Sequence, residues 1–407
     1  MAAIWQNIST GAWLTPSRMR GYSAVLLAAY LIASILWIAL ANGLVDRNNK
    51  PLGTDFSNVY AAGMLASNGK PDVAYDWPSE HAVEKAIFGR DVPFYGWHYP
   101  PQFLLVAEIL ALVPYGWALA LWMATTLSAY IAIIRVILPQ PTAVLVALAY
   151  PAVFVNLLHG QNGFINTALL GGALLLLDRR PITSGVLIGL LAYKPQFGVL
   201  IPLMLLATAR WTVLAAASAT VLAACTVTLS MFGTKVWVAF AASTTLTRHV
   251  VLEAGSIGWE KMQSIFSAVR MWGGGVDLAY MAQGALALGV AAGLIWLWRS
   301  EAAVDLKASA LAVAALIATP YVLDYDLMIL AVAIAFYVRH GLARGFHNFE
   351  LSLLAFAWIA PFLSRPLAEA TGIPLGLAAQ IVLFIMALCR ARREAAQPYG
   401  DARLVQA

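Results

Sequence analysis

Charge is what this chain has least of. Asp, Glu, Lys and Arg make up 11% of its 407 residues, where a soluble domain carries about 25%. With 61% of residues hydrophobic and a mean hydropathy of +0.76, a soluble globular fold is excluded. Cysteine is nearly absent as well. Cys225 and Cys389 both sit inside apolar runs, so neither a disulfide framework nor a thiolate metal site is expected. Regular apolar–polar alternation between turn residues is missing, which argues against a transmembrane barrel. The net charge of +5 is spread over the ends of apolar runs, so nucleic acid is not an expected partner and the charges read as topology signals. No P-loop, dinucleotide fingerprint or Ser-His-Asp order is present. No internal repeat of the kind found in transporters is visible. A cleavable signal is not expected either, because Arg18 and Arg20 precede an apolar run too long for one.

What remains is a succession of apolar runs. In lipid every backbone polar group must be paired within the segment, so such runs are helices. The expectation is an all-α polytopic integral membrane protein with about 11–13 transmembrane helices. Residues 1–390 form one transmembrane domain, and 391–407 form a polar cytoplasmic tail, expected to be disordered. Tyr22–Val45 is long enough to span, and Arg18 and Arg20 put its start in the cytoplasm. Arg390, Arg392 and Arg393 put the C-terminus there too. The setting is then the inner (plasma) membrane, with loops 46–98 and 233–276 on its extracytoplasmic side. In the first loop, Ser57–Ser67 reads as a short helix capped by Thr54 or Asp55, and Ser79–Phe88 as a second. Tyr99–Val113, about 15 residues, is short for a span and is expected to be re-entrant or in-plane. Ala143–Leu158 reads as one span.

Five polar groups meet on the extracytoplasmic side of this topology: Asp55; His98-Tyr99-Pro100-Pro101; His159-Gly160-Gln161-Asn162; Lys194-Pro195-Gln196; and Tyr321 to Asp326. The second loop adds Arg248, Trp259, Lys261, Gln263 and Arg270. Ionisable groups near lipid depth are expensive unless used, so they mark a site. Asp55 has two readings, an N-cap for the following helix or a general base kept ionised by that helix terminus. Lys194 is either a snorkelling topology marker or a cation that holds a phosphate in a broken helix. Gln161 and Asn162 are turn residues or substrate contacts. Asp324 and Asp326 suit a helix start, a sugar hydroxyl or a divalent metal. Trp77, Trp97, Tyr99 and Trp259 form an aromatic belt or stack on sugar rings. His98 and His159 match no zinc spacing.

The ordered set of Gly53-Thr54-Asp55-Phe56, Tyr99-Pro100-Pro101, Gly160-Gln161-Asn162, Lys194-Pro195, Gln263-Ser264 with Arg270, and Thr319-Pro320-Tyr321 resembles the GT-C membrane glycosyltransferases. More closely, it resembles glycosyltransferase family 87, of the polyprenyl-phosphate-mannose-dependent type. Met262 stands where that family often has Asn, and Tyr321 with Asp324-Tyr325-Asp326 where some members have His. The resemblance implies a GT-C type fold and an inverting hexosyl transfer, with mannose the expected sugar. The donor would be a polyprenyl-phosphate-linked sugar and the acceptor a lipid or glycan hydroxyl. Asp55 would be the base, with Lys194, Arg270 and Arg248 on the donor phosphate. His98, Tyr99, Gln161, Asn162, Gln196, Trp259, Gln263, Tyr321, Asp324 and Asp326 would line the substrate site. No cofactor is expected, and metal independence is implied. A transporter or flippase for a lipid-linked sugar is the competing reading; it calls for mid-span charges and repeated halves, and neither is evident. A structural membrane protein is the third, and it would not require Asp55 and Lys194 to share a pocket.

Overall fold

A computed structural model describes residues 2–396 of the chain. Among the described residues the protein is helical throughout, with no strand beyond isolated bridges. The all-α expectation therefore holds. Seven helices are long and apolar enough to cross a membrane, or eight if one bent pair counts as a span. Four further apolar helices of 10–17 residues, Pro101–Leu110, Gly163–Leu176, Pro181–Tyr193 and Pro195–Ala207, bring the total into the expected range only if they cross as well. The helix Leu375–Ala396 carries the chain past Arg390. Residues 397–407, most of the expected cytoplasmic tail, lie outside the described residues.

Proline explains most departures from simple spans. The expected span Ala143–Leu158 is two helices, Pro141–Leu148 and Pro151–His159, bent by 50°. Pro151 has no N–H to give and drives Tyr150 to extended backbone (φ −59°, ψ 124°). Pro195 likewise bars Lys194 from helical backbone (φ −124°, ψ 74°) and splits Pro181–Leu190 from Leu200–Ala207. The second loop differs more. Helix continues through 233, where Gly233 supplies a kink (φ 75°, ψ −177°), and runs as far as Glu253. The sequence places a loop there because Gly233 breaks the apolar run.

Pro101–Leu110 holds 10 residues, about 15 Å of helix and half the thickness of a hydrocarbon core. It packs against Phe56–Ser67 so closely that a Cβ on Gly63 would lie 2.1 Å from the Ala107 carbonyl oxygen. This pair carries the first loop down into the bundle. Asp324–Arg344 is the most enclosed long helix, with 72% of its apolar window buried. Val304–Ile317 packs alongside it, and its side chains from Ala308 to Ile317 are buried. One face of the bundle carries the ion pairs Asp178–Arg210, Asp305–Arg339 and Glu350–Arg390. The opposite face, called the loop face here, carries the 46–98 segment. Thr247 and His98 join the second-loop region to it through Oγ1 and Nδ1, 3.0 Å apart.

Candidate active site

Asp55 occupies the N-cap position of Phe56–Ser67, yet its side chain makes no capping hydrogen bond. Its Oδ2 instead accepts from Gln161 Nε2 at 2.8 Å, and His159 Nδ1 stands 4.0 Å away. Two further contacts bind these segments together. The Asp55 N–H donates to the His159 carbonyl at 3.0 Å, and Thr54 Oγ1 meets His159 Nδ1 at 2.7 Å. Gly160 makes the approach feasible. Its φ of +63° suits glycine, and a Cβ there would fall 2.6 Å from Phe56 Cβ. The Asp55 side chain keeps 18% of its surface exposed, so it is held from one side and open on the other.

A chain of hydrogen bonds leads inward from Gln161. Tyr99 Oη donates weakly to Gln161 Oε1 at 3.4 Å and accepts from Asn162 Nδ2 at 2.8 Å. Asn166 Nδ2 donates to Asn162 Oδ1 at 3.3 Å, and Tyr193 Oη donates to Asn166 Oδ1. Tyr193 adjoins Lys194, whose Nζ bonds Asp326 Oδ1 at 2.8 Å with both side chains buried. Burial first, and then the charges of Asp55, Asp326 and Tyr321, push the Tyr99 phenol up. Tyr99 therefore stays protonated and stands within electrostatic reach of both Asp55 and the Lys194–Asp326 pair.

The remaining expected residues divide sharply. Asp324 and Asp326 do not act as a pair. Asp326 Oδ2 accepts from the Leu323 N–H at 3.0 Å while Oδ1 takes Lys194, and Asp324 Oδ1 accepts from the Tyr325 N–H at 2.8 Å. Tyr321 is partly exposed and within electrostatic reach of Asp55 and Asp326. Gln196 lies partly exposed in the turn after Pro195. Burial pushes the His98 imidazole down to about 4, so it is neutral, and its Nδ1 is taken by Thr247. Gln263 is a structural knot: its amide donates to the Glu260 carbonyl at 2.9 Å, its Oε1 accepts from Gly376 N–H at 3.2 Å, and its own N–H donates to Val322 O at 2.7 Å. Arg270 donates to the carbonyls of Gly274 and Glu253 and covers the Trp259 ring at 4.8 Å. Arg248 pairs with Glu253 at 3.4 Å. The three cations expected on a phosphate thus each have a protein partner.

Beneath Asp55 lie two carboxyls that the sequence reading left without a role. Glu84 Oε1 contacts Ser57 Oγ, and Ser57 Oγ also contacts the Thr54 carbonyl at 2.8 Å. A hydroxyl has one hydrogen to give. If Ser57 gives it to Thr54, the hydrogen in the other contact belongs to Glu84. Burial pushes the Glu84 carboxyl up to about 7, with the nearby Asp55 charge adding to it. Glu80, fully buried, is pushed up by burial and then by Glu84, and accepts from Trp97 N–H at 3.0 Å. The two acids stand one turn apart on Trp77–Phe88, on the face that buries Phe88. That spacing was the signal available in the sequence. The other omission is Arg365, a cation inside the apolar helix Glu350–Thr371 between Pro361 and Pro366.

Asp55 thus stands at the head of a buried polar chain in a helical membrane protein, and the comparison with known families gives its class as a glycosyltransferase. The profile of glycosyltransferase family 87 matches residues 97–320, more than half of the chain, and the protein is a member of that family. Asp55, Glu84 and Arg365 lie outside the matched stretch. No curated protein and no solved structure was found to match the chain.

Proposed function

We propose that the protein transfers a hexose, mannose being the expected sugar, from a polyprenyl-phosphate donor to a hydroxyl of a lipid or glycan acceptor. Transfer takes place on the extracytoplasmic side of the plasma membrane, and both termini are cytoplasmic. The loop face is then extracytoplasmic, in keeping with Arg135, Arg179, Arg180, Arg210 and Arg299 gathering at the other ends of the helices. The observation that carries the reading is the state of Asp55. It forgoes the capping bond its position invites, is oriented by Gln161, and leaves one side open.

The reaction is one displacement. Asp55 takes the proton of the acceptor hydroxyl, whose oxygen bonds to the anomeric carbon. The bond from that carbon to the phosphate oxygen breaks with its electron pair, and lipid monophosphate leaves. A single base opposite the leaving group gives inversion. General-base removal of this kind contributes about 10²–10⁴-fold. Gln161 donates to the carboxylate and fixes its direction. Tyr99 and Asn162 hold Gln161 and Asn166 in turn.

The test is transfer of radiolabelled sugar from a polyprenyl-phosphate donor in membranes, with wild type and Asp55→Asn. Loss of transfer with unchanged protein level is the expected result. Equal transfer by the two proteins removes the base assignment.

A further inference from the structure

Among the described residues, two cations within electrostatic reach of Asp324 make no hydrogen bond or ion pair. Met262 bridges Leu323 in antiparallel register, and Gln263 N–H bonds the Val322 carbonyl. Lys261 therefore lies opposite Asp324. The helix Glu350–Thr371 packs against the Trp259–Lys261 turn and brings Arg365 to the same spot. Among the described residues, neither the Lys261 ammonium nor the Arg365 guanidinium has a hydrogen bond or ion pair of its own. Both are partly buried. Burial first, and then Arg365, push Lys261 down, against the opposing pull of Asp55, Asp324 and Glu260.

We propose that Lys261 and Arg365 form the seat of the donor's lipid-linked phosphate, with Asp324 as their fixed counter-charge. The assignment rests on the donor class proposed above. Charge supports it. Besides Asp324, Asp55 and Glu260 also act on Lys261, so what the pair offers a sugar phosphodiester is two cationic donors with no bond of their own. As the glycosidic bond breaks, the phosphate gains a second negative charge, and two preorganised cations stabilise that state more than the ground state. A guanidinium also offers a fork that fits two phosphate oxygens. Position supports it too. Lys261 is within electrostatic reach of Asp55, as a site with one sugar ring between base and phosphate requires. On the helix of Arg365, Phe362 and Leu363 are exposed at 50% and 43%, an apolar track along which a polyprenyl tail can run into the bilayer. A soluble nucleotide-sugar would have no use for that track.

The experiment measures binding of undecaprenyl monophosphate to the full chain in nanodiscs, with phosphatidic acid and inorganic phosphate as separate arms. Wild type, Lys261→Met, Arg365→Gln and Arg365→Lys are compared, and each variant's unfolding midpoint is checked for intact folding. The expected result is that wild type binds undecaprenyl monophosphate in preference to the other two ligands. Each neutralising variant should bind about tenfold more weakly, with Arg365→Lys falling between. Folded variants that bind as wild type does would overturn the phosphate seat and leave the donor class standing. A wild type that binds no polyprenyl phosphate would overturn the donor class, and the seat with it. Equal binding of phosphatidic acid or inorganic phosphate would overturn the polyprenyl assignment.

Discussion

Glu84 offers the sharpest test of how the ground under Asp55 is built. Its carboxyl is fully buried, touches Ser57 Oγ through one oxygen, and accepts the Tyr95 N–H at 3.3 Å through the other. The charged and titratable groups facing it are Asp55, Glu80, Tyr95 and Tyr115. None of these is a cation; the contacts with Ser57 and the Tyr95 N–H favour an ionised Glu84, and burial outweighs them. Its value rises from 4.5 unfolded to about 7 folded, which corresponds to about 3 kcal/mol. The sign follows from proton binding. Between those values the folded protein holds a proton that the unfolded chain has lost, so stability falls as pH rises. The Glu84 contribution is fully present below 4.5, is lost progressively up to about 7, and changes no further above it.

Glu84→Gln copies the protonated acid. Its amide N–H₂ can donate to Ser57 Oγ, and its carbonyl can accept from Tyr95. The variant should therefore gain on wild type as pH rises, by up to about 3 kcal/mol near neutrality, and match it at pH 4.5. Tryptophan-fluorescence unfolding of both proteins in one detergent, across pH 4.5 to 8, reads the difference. Curves that stay parallel over the whole range would refute a neutral Glu84. Glu84→Ala serves as the contrast. It strands Ser57 and the Tyr95 N–H, so it should lie about 1–3 kcal/mol below Glu84→Gln at every pH while showing the same pH dependence against wild type.

Other residues give equally direct outcomes. Gln161→Leu removes the donor to Asp55 while keeping volume, so initial-rate assays should show turnover falling about tenfold or more with protein level unchanged. Lys194→Met leaves Asp326 buried without its cation and should lower stability by about 3–5 kcal/mol, seen as a lower unfolding midpoint. The double variant Lys194→Met with Asp326→Leu should recover most of that loss, and a double variant no better than the single would count against a self-contained pair. Gly63→Val drives a side chain into the Ala107 carbonyl and should separate Phe56–Ser67 from Pro101–Leu110, read as loss of folded protein on size exclusion.

Apolar run length announced the class of fold because lipid leaves the backbone no alternative to helix. Breaks were legible where a proline and a charge coincide, as at Lys194-Pro195, and were missed at Pro151, where the apolar run continues on both sides. They were misplaced where glycine permits either outcome, as at Gly233, which kinks a helix that continues to Glu253. Asp55, Tyr99, Gln161 and Asn162 stood out because polar residues next to apolar runs are conspicuous, and the structure brings these four into one hydrogen-bonded set. The partners of the cations were not legible. Nothing in the sequence says that Arg270 spends its guanidinium on the carbonyls of Gly274 and Glu253, because backbone acceptors carry no sequence signal. Lys261 and Arg365 are separated by more than a hundred residues, and the packing of Glu350–Thr371 against the Trp259–Lys261 turn brings them together.

The separation of paired from unpaired charge argues for a division of labour within the site. Lys194 and Asp326 satisfy one another in a dry setting, and the Lys194 ammonium also lies 5.3 Å from the Tyr325 ring centroid and 5.6 Å from that of Phe197. Breaking such a pair to hold a phosphate would strand a buried carboxylate, at a penalty of several kcal/mol that the new contact would have to offset. A pair so placed acts better as a pin. It ties the broken helix at Pro195 to the 3₁₀ turn Asp324–Ile329, and so fixes Tyr193 at the inner end of the hydrogen-bonded chain that reaches Asp55. Lys261 and Arg365 have no such bond to break, and their mutual repulsion falls when an anion arrives between them. Binding energy is then available where charge develops during transfer, and the buried pair keeps its geometry throughout.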